Sequence, residues 1–254
     1  MIFTFLGTGT SQGVPIIGCN CHVCLSLDYK DQRLRCSGML ETDSGQYVID
    51  AGPDFRQQML RERVNKLDAI FFTHEHKDHT AGLDDVRAFN YLTKKDFPIY
   101  AEERVLNQIK KEFAYAFTEN PYPGVPLIKT NVIFENQKVV VGDDCFETIR
   151  VQHHLLPVLG FKIRNFAYIT DANYISEEEK NKLINLDVLV LNALRKEKHI
   201  SHFNLEEALL LISELKPKKT YLTHLSHQMG RHTEVQNTLP ENIFVAYDGL
   251  KITF

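Results

Sequence analysis

The stretch FFTHEHKDH (residues 71–79) places four potential metal ligands, His74, His76, Asp78 and His79, within six residues of one another, directly after an apolar segment. Residues two apart lie about 200° around a helix axis, so a helix could not turn His74 and His76 towards one ion. A loop at the end of a strand could bring all four together. Imidazole and carboxylate suit Zn, Mn or Fe(II), and one open catalytic ion needs fewer protein ligands than this. The stretch therefore predicts two ions that share a loop.

Strand-like segments, rich in Val, Ile, Phe and Tyr, recur along the whole chain, and polar or Gly-containing turns bound many of them. They are IFTFL (2–6), QYVID (46–50), DAIFFT (68–73), FPIYA (97–101), CFETIRVQ (145–152), FAYIT (166–170), DVLVL (187–191), KTYLT (219–223) and LKITF (250–254). Helical patterns alternate with the later strands: 102–116, a segment that starts at the N-cap Ser176, and one that starts with the capping box Asn204–Glu207. The order of these elements predicts a layered domain of sheets and helices.

The HEHKDH segment resembles the HxHxDH motif of the metallo-β-lactamase fold superfamily, and candidates for the family's other ligands follow in the family's order. The resemblance implies an α/β fold (α+β in some schemes): an αββα sandwich of four layers, with two central mixed sheets and helices on the outer faces. It also implies that residues 1–254 form a single hydrolase domain. The implied ligands of one ion are His74, His76 and His154, and those of the other are Asp78, His79 and His224, with Asp171 as a bridge.

Two positions in this implied set have alternatives. His153 competes with His154, and the spacing to the strand-like LPVLGF (156–161) favours His154. Asp50, in the IDAG turn after strand 46–50, occupies the place of the family aspartate that accepts the distal N–H of a histidine ligand. An ordinary turn aspartate is the alternative at Asp50.

A second cluster is the segment GCNCHVC (18–24), which contains Cys19, Cys21 and Cys24. A structural zinc site normally has four protein ligands. If His224 serves the catalytic pair, His227 is free to be the fourth, and the sequence then predicts a Cys3His zinc site near residues 18–25. Cys36 and Cys145 lie outside this cluster and are expected to be buried thiols.

Four features occur along the chain: the LGTGTSQGVP segment (6–15), the cysteine loop, the HxHxDH motif and an HxSH motif at 224–227. Together they resemble the PhnP type of phosphodiesterase, which opens a cyclic ribose phosphate. The resemblance implies two catalytic divalent ions, Mn or Zn with Fe as an alternative, one structural zinc, and a catalytic role for His202. A histidine just before a helix N-terminus could contact a phosphate oxygen. His199 is the competing candidate. Two ions bridged by a carboxylate can hold a hydroxide and neutralise charge on a phosphoryl or acyl oxygen, which predicts a hydrolase but does not identify the bond cleaved. The resemblance implies that the substrate is a small phosphodiester.

The net charge and the apolar runs of the sequence bear on which partners the protein can have. The net charge of −4 disfavours nucleic acid as a partner unless a local basic patch exists. The start of the chain lacks the basic region of a signal peptide, and no apolar run approaches the roughly 20 residues of a membrane span. We therefore expect a cytoplasmic enzyme with a small-molecule substrate and no membrane partner, with a homodimer left open. Alternative functions are a tRNA 3′-processing endonuclease of the same fold and a non-catalytic accessory protein like the PQQ-biosynthesis B type.

Overall fold

A computed structural model of the chain describes residues 1–120 and 122–254. The strands are β1 (Ile2–Gly7), β2 (Ser37–Glu41), β3 (Gln46–Ile49), β4 (Ala69–Phe71), β5 (Phe97–Ala101), β6 (Ile128–Val132), β7 (Lys138–Val141), β8 (Asp144–His153), β9 (Leu156–Ile163), β10 (Phe166–Ile169), β11 (Tyr174–Ile175), β12 (Val188–Asn192), β13 (Lys219–Thr223), β14 (Ile243–Val245) and β15 (Lys251–Thr253). The α-helices are α1 (Phe55–Glu62), α2 (Lys77–Thr80), α3 (Arg87–Thr93), α4 (Glu103–Glu112), α5 (Glu177–Lys182), α6 (Leu205–Leu215) and α7 (His232–Gln236).

The strands form two mixed sheets. The first has the order β15-β1-β2-β3-β4-β5-β6, and the second has the order β11-β8-β9-β10-β12-β13-β14, with β7 paired to β8. Within the first sheet the pairs from β3 to β6 are parallel. Within the second, the pairs from β10 through β12 and β13 to β14 are parallel. Each sheet thus combines an antiparallel part with a parallel part.

Three buried apolar clusters lie between four layers. The middle cluster is rich in aromatic side chains from the facing surfaces of both sheets, such as Phe5 and Phe71 of the first and Phe161 of the second. The other two clusters join the outer surface of one sheet to its helices: α1, α3 and α4 cover the first sheet, and α5, α6 and α7 cover the second. Residues alternate between the two faces of a strand; in β4, for example, Ile70 faces the helices and Phe71 faces the other sheet. This is the αββα arrangement that the family resemblance implies.

The helix starts read from the sequence are confirmed. The side chain of Ser176 accepts a hydrogen bond from the backbone N–H of Glu179 at the start of α5. Asn204 and Glu207 form the reciprocal capping box of α6. The expectation for the two outlying cysteines holds for Cys36, which is buried, but is wrong for Cys145, which is exposed. Cys145 lies on β8, where exposed and buried side chains alternate.

None of the helices in the described residues combines the length and the apolar character that a membrane crossing requires.

Candidate metal centre

The predicted ligands meet where strands of both sheets end. Asp50 follows β3 directly, His224 follows β13 directly, and Asp171 lies two residues after the end of β10. All three have left-handed backbone conformations, with φ of 65° for Asp50, 53° for Asp171 and 55° for His224. Non-glycine residues rarely adopt this conformation, and it costs on the order of 1–3 kcal/mol where surrounding contacts hold it. The strained positions therefore coincide with the ends of strands that point polar side chains into one buried site.

One half of the site contains two carboxylates and two imidazoles. The Nε2 atom of His79 lies 3.1 Å from Oδ2 of Asp78 and 3.3 Å from Oδ2 of Asp171. The other oxygen of Asp171 lies 3.2 Å from Nε2 of His224. Burial opposes charge on His79, yet the carboxylates of Asp78, Asp171 and Asp50 hold its pKa well above the usual value. The carboxylates thus favour a cation at this position.

The other half of the site is made of imidazoles. The Nε2 atom of His74 lies 2.9 Å from Nδ1 of His76, and the ring of His153 lies 5.2 Å from the ring of His76. His153 donates its Nδ1–H to the carbonyl of Ser201 at 2.8 Å. This hydrogen bond leaves Nε2 of His153 with a free lone pair, as a metal ligand requires.

The position of His154 differs from the sequence-based choice. His154 is exposed and its backbone N–H donates to Asn173 at 2.8 Å, whereas His153 is buried among the clustered histidines. The cause is the alternation of side chains along β8: Val151 and His153 lie on the buried face, and His154 begins the turn that follows. We therefore reassign the ligand position from His154 to His153. The apolar residue Val151, two positions earlier, shares the face of His153, but the sequence alone does not show that this face is the one turned towards the ligands.

Asp50 lies behind the site, fully buried, and accepts the Nδ1–H of His79 at 2.7 Å. This fixes the ring so that Nε2 faces the two carboxylates. The loop that carries Asp50 packs tightly on the ligand helix α2, because a Cβ atom on Gly52 would lie 1.9 Å from the carbonyl oxygen of Asp78. Only glycine fits at residue 52 in this arrangement.

His202 lies within the cluster and His199 lies at its edge. The ring of His202 is 4.5 Å from that of His153 and 4.8 Å from that of His224. Burial lowers the pKa of His202 to about 3. His199 is partly exposed, and its ring lies 5.2 Å from the ring of His202.

The buried nitrogen atoms of this cluster fit divalent cations. Nε2 of His79, both ring nitrogens of His224 and Nδ1 of His202 are buried. Carboxylate oxygens lie near three of these atoms, but none of the four forms a hydrogen bond of acceptable geometry with the described residues. An unsatisfied buried polar atom costs on the order of 1–3 kcal/mol, and coordination would remove that cost. Three overlapping groups have ligand atoms within 4.8 Å of one another: His74–His79–Asp171, Asp78–His79–His224 and His153–Asp171–His202. This donor set of nitrogen and oxygen suits Zn, Mn or Fe.

A second cluster joins the cysteine loop to His227. The Nδ1 atom of His227 lies 3.3 Å from Sγ of Cys19, 3.3 Å from Sγ of Cys21 and 3.5 Å from Sγ of Cys24. One ring nitrogen cannot hydrogen-bond to three thiols at once. Tetrahedral zinc with ordinary bond lengths separates sulfur and nitrogen ligands by about 3.6 Å, so the spacing fits that ion. A backbone N–H from Cys24 lowers the pKa of the Cys21 thiol to about 6, which favours the thiolate form that metals bind.

The two clusters are connected through the loop after β13. Leu225, which lies between His224 and His227, donates its N–H to the carbonyl of Thr8 at 2.8 Å and accepts from the N–H of Thr10 at 3.3 Å. Backbone bonds therefore join the β13 loop to the segment that precedes the cysteine loop, and the three cysteines lie against His227 of the same β13 loop.

The sequence reasoning missed Asn192, at the end of β12. Its side-chain amide accepts from the backbone N–H of Ala172 and donates to the carbonyl of the same residue, at 2.8 and 2.9 Å. These bonds hold the turn that follows Asp171. An asparagine at the end of an otherwise apolar strand, VLVLN, is the signal that could have found it.

Comparison with known proteins identifies the family of the chain. A family model described as "Beta-lactamase superfamily domain" matches residues 46–225. An octanoyltransferase of Porphyromonas gingivalis is 42% identical over 248 residues, which are 97% of this chain and 50% of that protein, so the chain spans half the length of that relative. A ribonuclease Z of Listeria innocua is 25% identical over 313 residues, covering 98% of this chain and 97% of that one.

Solved structures are similar over the whole chain. A diphosphatase from the PhnP family has a TM-score of 0.93 and 38% identity, covering 100% of this chain and 97% of that one. Zn(2+)-bound PqqB from Methylobacterium extorquens has a TM-score of 0.82 at 18% identity and covers 100% of both chains, which is a likeness of fold alone. From the match to 46–225 and the identity with the diphosphatase, the chain belongs to the beta-lactamase superfamily and, within it, to the PhnP family.

Proposed function

We propose that this hydrolase of the metallo-β-lactamase family is a phosphodiesterase that uses two divalent ions to cleave a small phosphate ester, with cyclic ribose phosphates as the first class to test. The observation that carries the proposal is the convergence of histidines and carboxylates from both sheets in one buried cluster that also contains His202. The PhnP-family structure is named a diphosphatase, which supports hydrolysis at phosphorus as the class of reaction, while the phosphodiester as substrate is our proposal.

In this proposal, one ion would be held by the adjacent rings of His74, His76 and His153. The other would be held by Asp78, His79 and His224, and Asp171 lies between His79 and His224. Divalent ions at such a site make water a nucleophile at neutral pH and neutralise charge on a phosphoryl oxygen. Asp50 orients His79, and the carbonyl of Ser201 orients His153. The chain's own residues thus place the ligands before substrate binds, which avoids reorganisation during the reaction.

His202 is the residue that we propose contacts the substrate. It is held between His153 and His224, and its Nδ1 atom lies 3.8 Å from Asp171. A ring N–H of His202 can donate a hydrogen bond to a phosphoryl oxygen or to the leaving oxygen, and such a donor is worth most where water is excluded.

The function is tested by loading metal-free protein with Mn²⁺ or Zn²⁺ and screening several substrates: bis(p-nitrophenyl) phosphate, cyclic nucleotides, a precursor tRNA and an octanoyl ester. We expect turnover of the phosphodiesters, and we expect Asp78→Ala to abolish it, because Asp78 lies next to both His79 and His224. Elemental analysis of both proteins measures their metal content. Faster cleavage of the octanoyl ester or of the tRNA, or full activity of Asp78→Ala, would overturn the proposal.

The substitutions His202→Ala and His199→Ala separate the two candidate histidines. We expect His202→Ala to lower kcat about 100-fold, the usual effect of removing one donor to a developing oxyanion, with unchanged metal content. We expect a much smaller effect from His199→Ala, since His199 is partly exposed at the edge of the cluster. Steady-state kinetics with p-nitrophenolate and alkoxide leaving groups measure both. An effect of His202→Ala confined to alkoxide leaving groups would indicate contact with the leaving oxygen.

A further inference from the structure

A threonine precedes three of the clustered residues directly in the chain, at the end of a strand each time. The pairs are Thr73–His74, Thr170–Asp171 and Thr223–His224. All three threonines are fully buried. Cys36, the residue before β2, lies near two of them, with Sγ 3.4 Å from Oγ1 of Thr223 and 3.7 Å from Oγ1 of Thr170.

The hydroxyl of Thr73 has two polar neighbours. Its Oγ1 lies 2.9 Å from Oδ2 of Asp50 and 2.9 Å from Nδ1 of His74. A carboxylate accepts only, so the single hydroxyl proton goes to Asp50, and the oxygen then accepts the Nδ1–H of His74. The lone pair of His74 is consequently on Nε2, the atom that faces His76. Asp50 thus acts on His79 directly and on His74 through Thr73.

The hydroxyl of Thr170 acts on a carboxylate. Its Oγ1 donates to Oδ2 of Asp171 at 2.7 Å. The same oxygen, Oδ2 of Asp171, lies 3.3 Å from Nε2 of His79, and Oδ1 of Asp171 lies 3.2 Å from Nε2 of His224. The bond from Thr170 therefore fixes the rotation of the carboxylate that lies between the two halves of the site.

We propose that Thr73 and Thr170 are positioning residues, which prepare the site for divalent ions by fixing the ring of His74 and the carboxylate of Asp171. The proposal rests on the metal binding proposed above and is independent of the substrate. A threonine in such a place also has an ordinary structural role, because its β-branched side chain packs well in a strand. The hydroxyl and the packing are separable, since valine keeps the shape and serine keeps the hydroxyl.

The test measures metal affinity of Thr73→Val and Thr170→Val by competition with a chromophoric chelator, using Zn²⁺ and Mn²⁺ separately. We expect each substitution to weaken binding by about 10-fold to 100-fold, the usual effect of removing a partner of a ligand. We expect Thr73→Ser and Thr170→Ser to bind nearly as tightly as the unsubstituted protein. Either valine variant suffices if the other fails to fold, because each hydroxyl serves a different ligand.

Thr220→Val is the matched control. Thr220 is also a buried threonine, on the same strand as Thr223, but its Oγ1 has no hydrogen-bond partner among the described residues. We expect unchanged affinity for this variant. Equal affinity of all valine variants, or an equal loss in the serine variants, would overturn the role of the hydroxyls. An unsubstituted protein that binds neither ion would instead overturn the metal centre itself.

Discussion

Replacing His153 by alanine is expected to lower kcat/KM for bis(p-nitrophenyl) phosphate by at least about 100-fold and to release metal from the half of the site that contains His74 and His76. His153 is buried beside these residues, and its Nδ1–H bond to Ser201 leaves Nε2 free for an ion. Kinetics and elemental analysis after dialysis are the measurements.

His154→Ala is the matched control, because it removes the adjacent histidine from an exposed position. Its backbone N–H, not its ring, makes the bond to Asn173, so the substitution leaves that contact in place. We expect near-normal activity and metal content. The reverse pattern, with His154→Ala inactive and His153→Ala active, would contradict the reassignment to His153.

The second large effect concerns the cysteine loop. Cys21→Ser is expected to remove a zinc ion that resists chelators in the unsubstituted protein, since it deletes one of four ligands whose combined binding is worth about 10–16 kcal/mol in small zinc domains. The Cys3His group and the contacts of Leu225 hold the loop that carries His224. We therefore also expect weaker metal binding at the catalytic group, and activity at least about 10-fold lower, before the protein unfolds.

Cys145→Ser supplies the control, because Cys145 is an exposed thiol on β8 outside both clusters. It is expected to keep both classes of metal and full activity. Activity, chelator-resistant zinc and the thermal unfolding midpoint are followed for both variants. Loss of the zinc from Cys21→Ser with undiminished activity would show that the cysteine loop does not support the catalytic group, and unchanged zinc would rule out the loop as a metal site.

Local patterns in the sequence were sufficient for a layered domain of sheets and helices and for the HEHKDH cluster, whereas the αββα arrangement and the later ligand candidates were implied by the family resemblance. The αββα layers, the N-cap at Ser176 and the capping box at Asn204 are confirmed. The HEHKDH segment follows β4 as predicted, but the expectation of a loop holds only for His74 and His76, because Asp78 and His79 lie in the short helix α2. The grouping of the three cysteines with His227 also appears in the structure, although a metal ion at that group stays a prediction.

What the sequence by itself determined about this protein is which residue types follow which strand, because those relations are local: four ligand candidates after β4, an aspartate after β10 and a histidine after β13. Only the tertiary structure decided between His153 and His154, because one residue along a strand exchanges the buried face for the exposed one. The contacts of Thr73 with Asp50 and of Asn192 with Ala172 join segments about 20 residues apart. Such contacts depend on how the strands are arranged side by side, which no local pattern specifies.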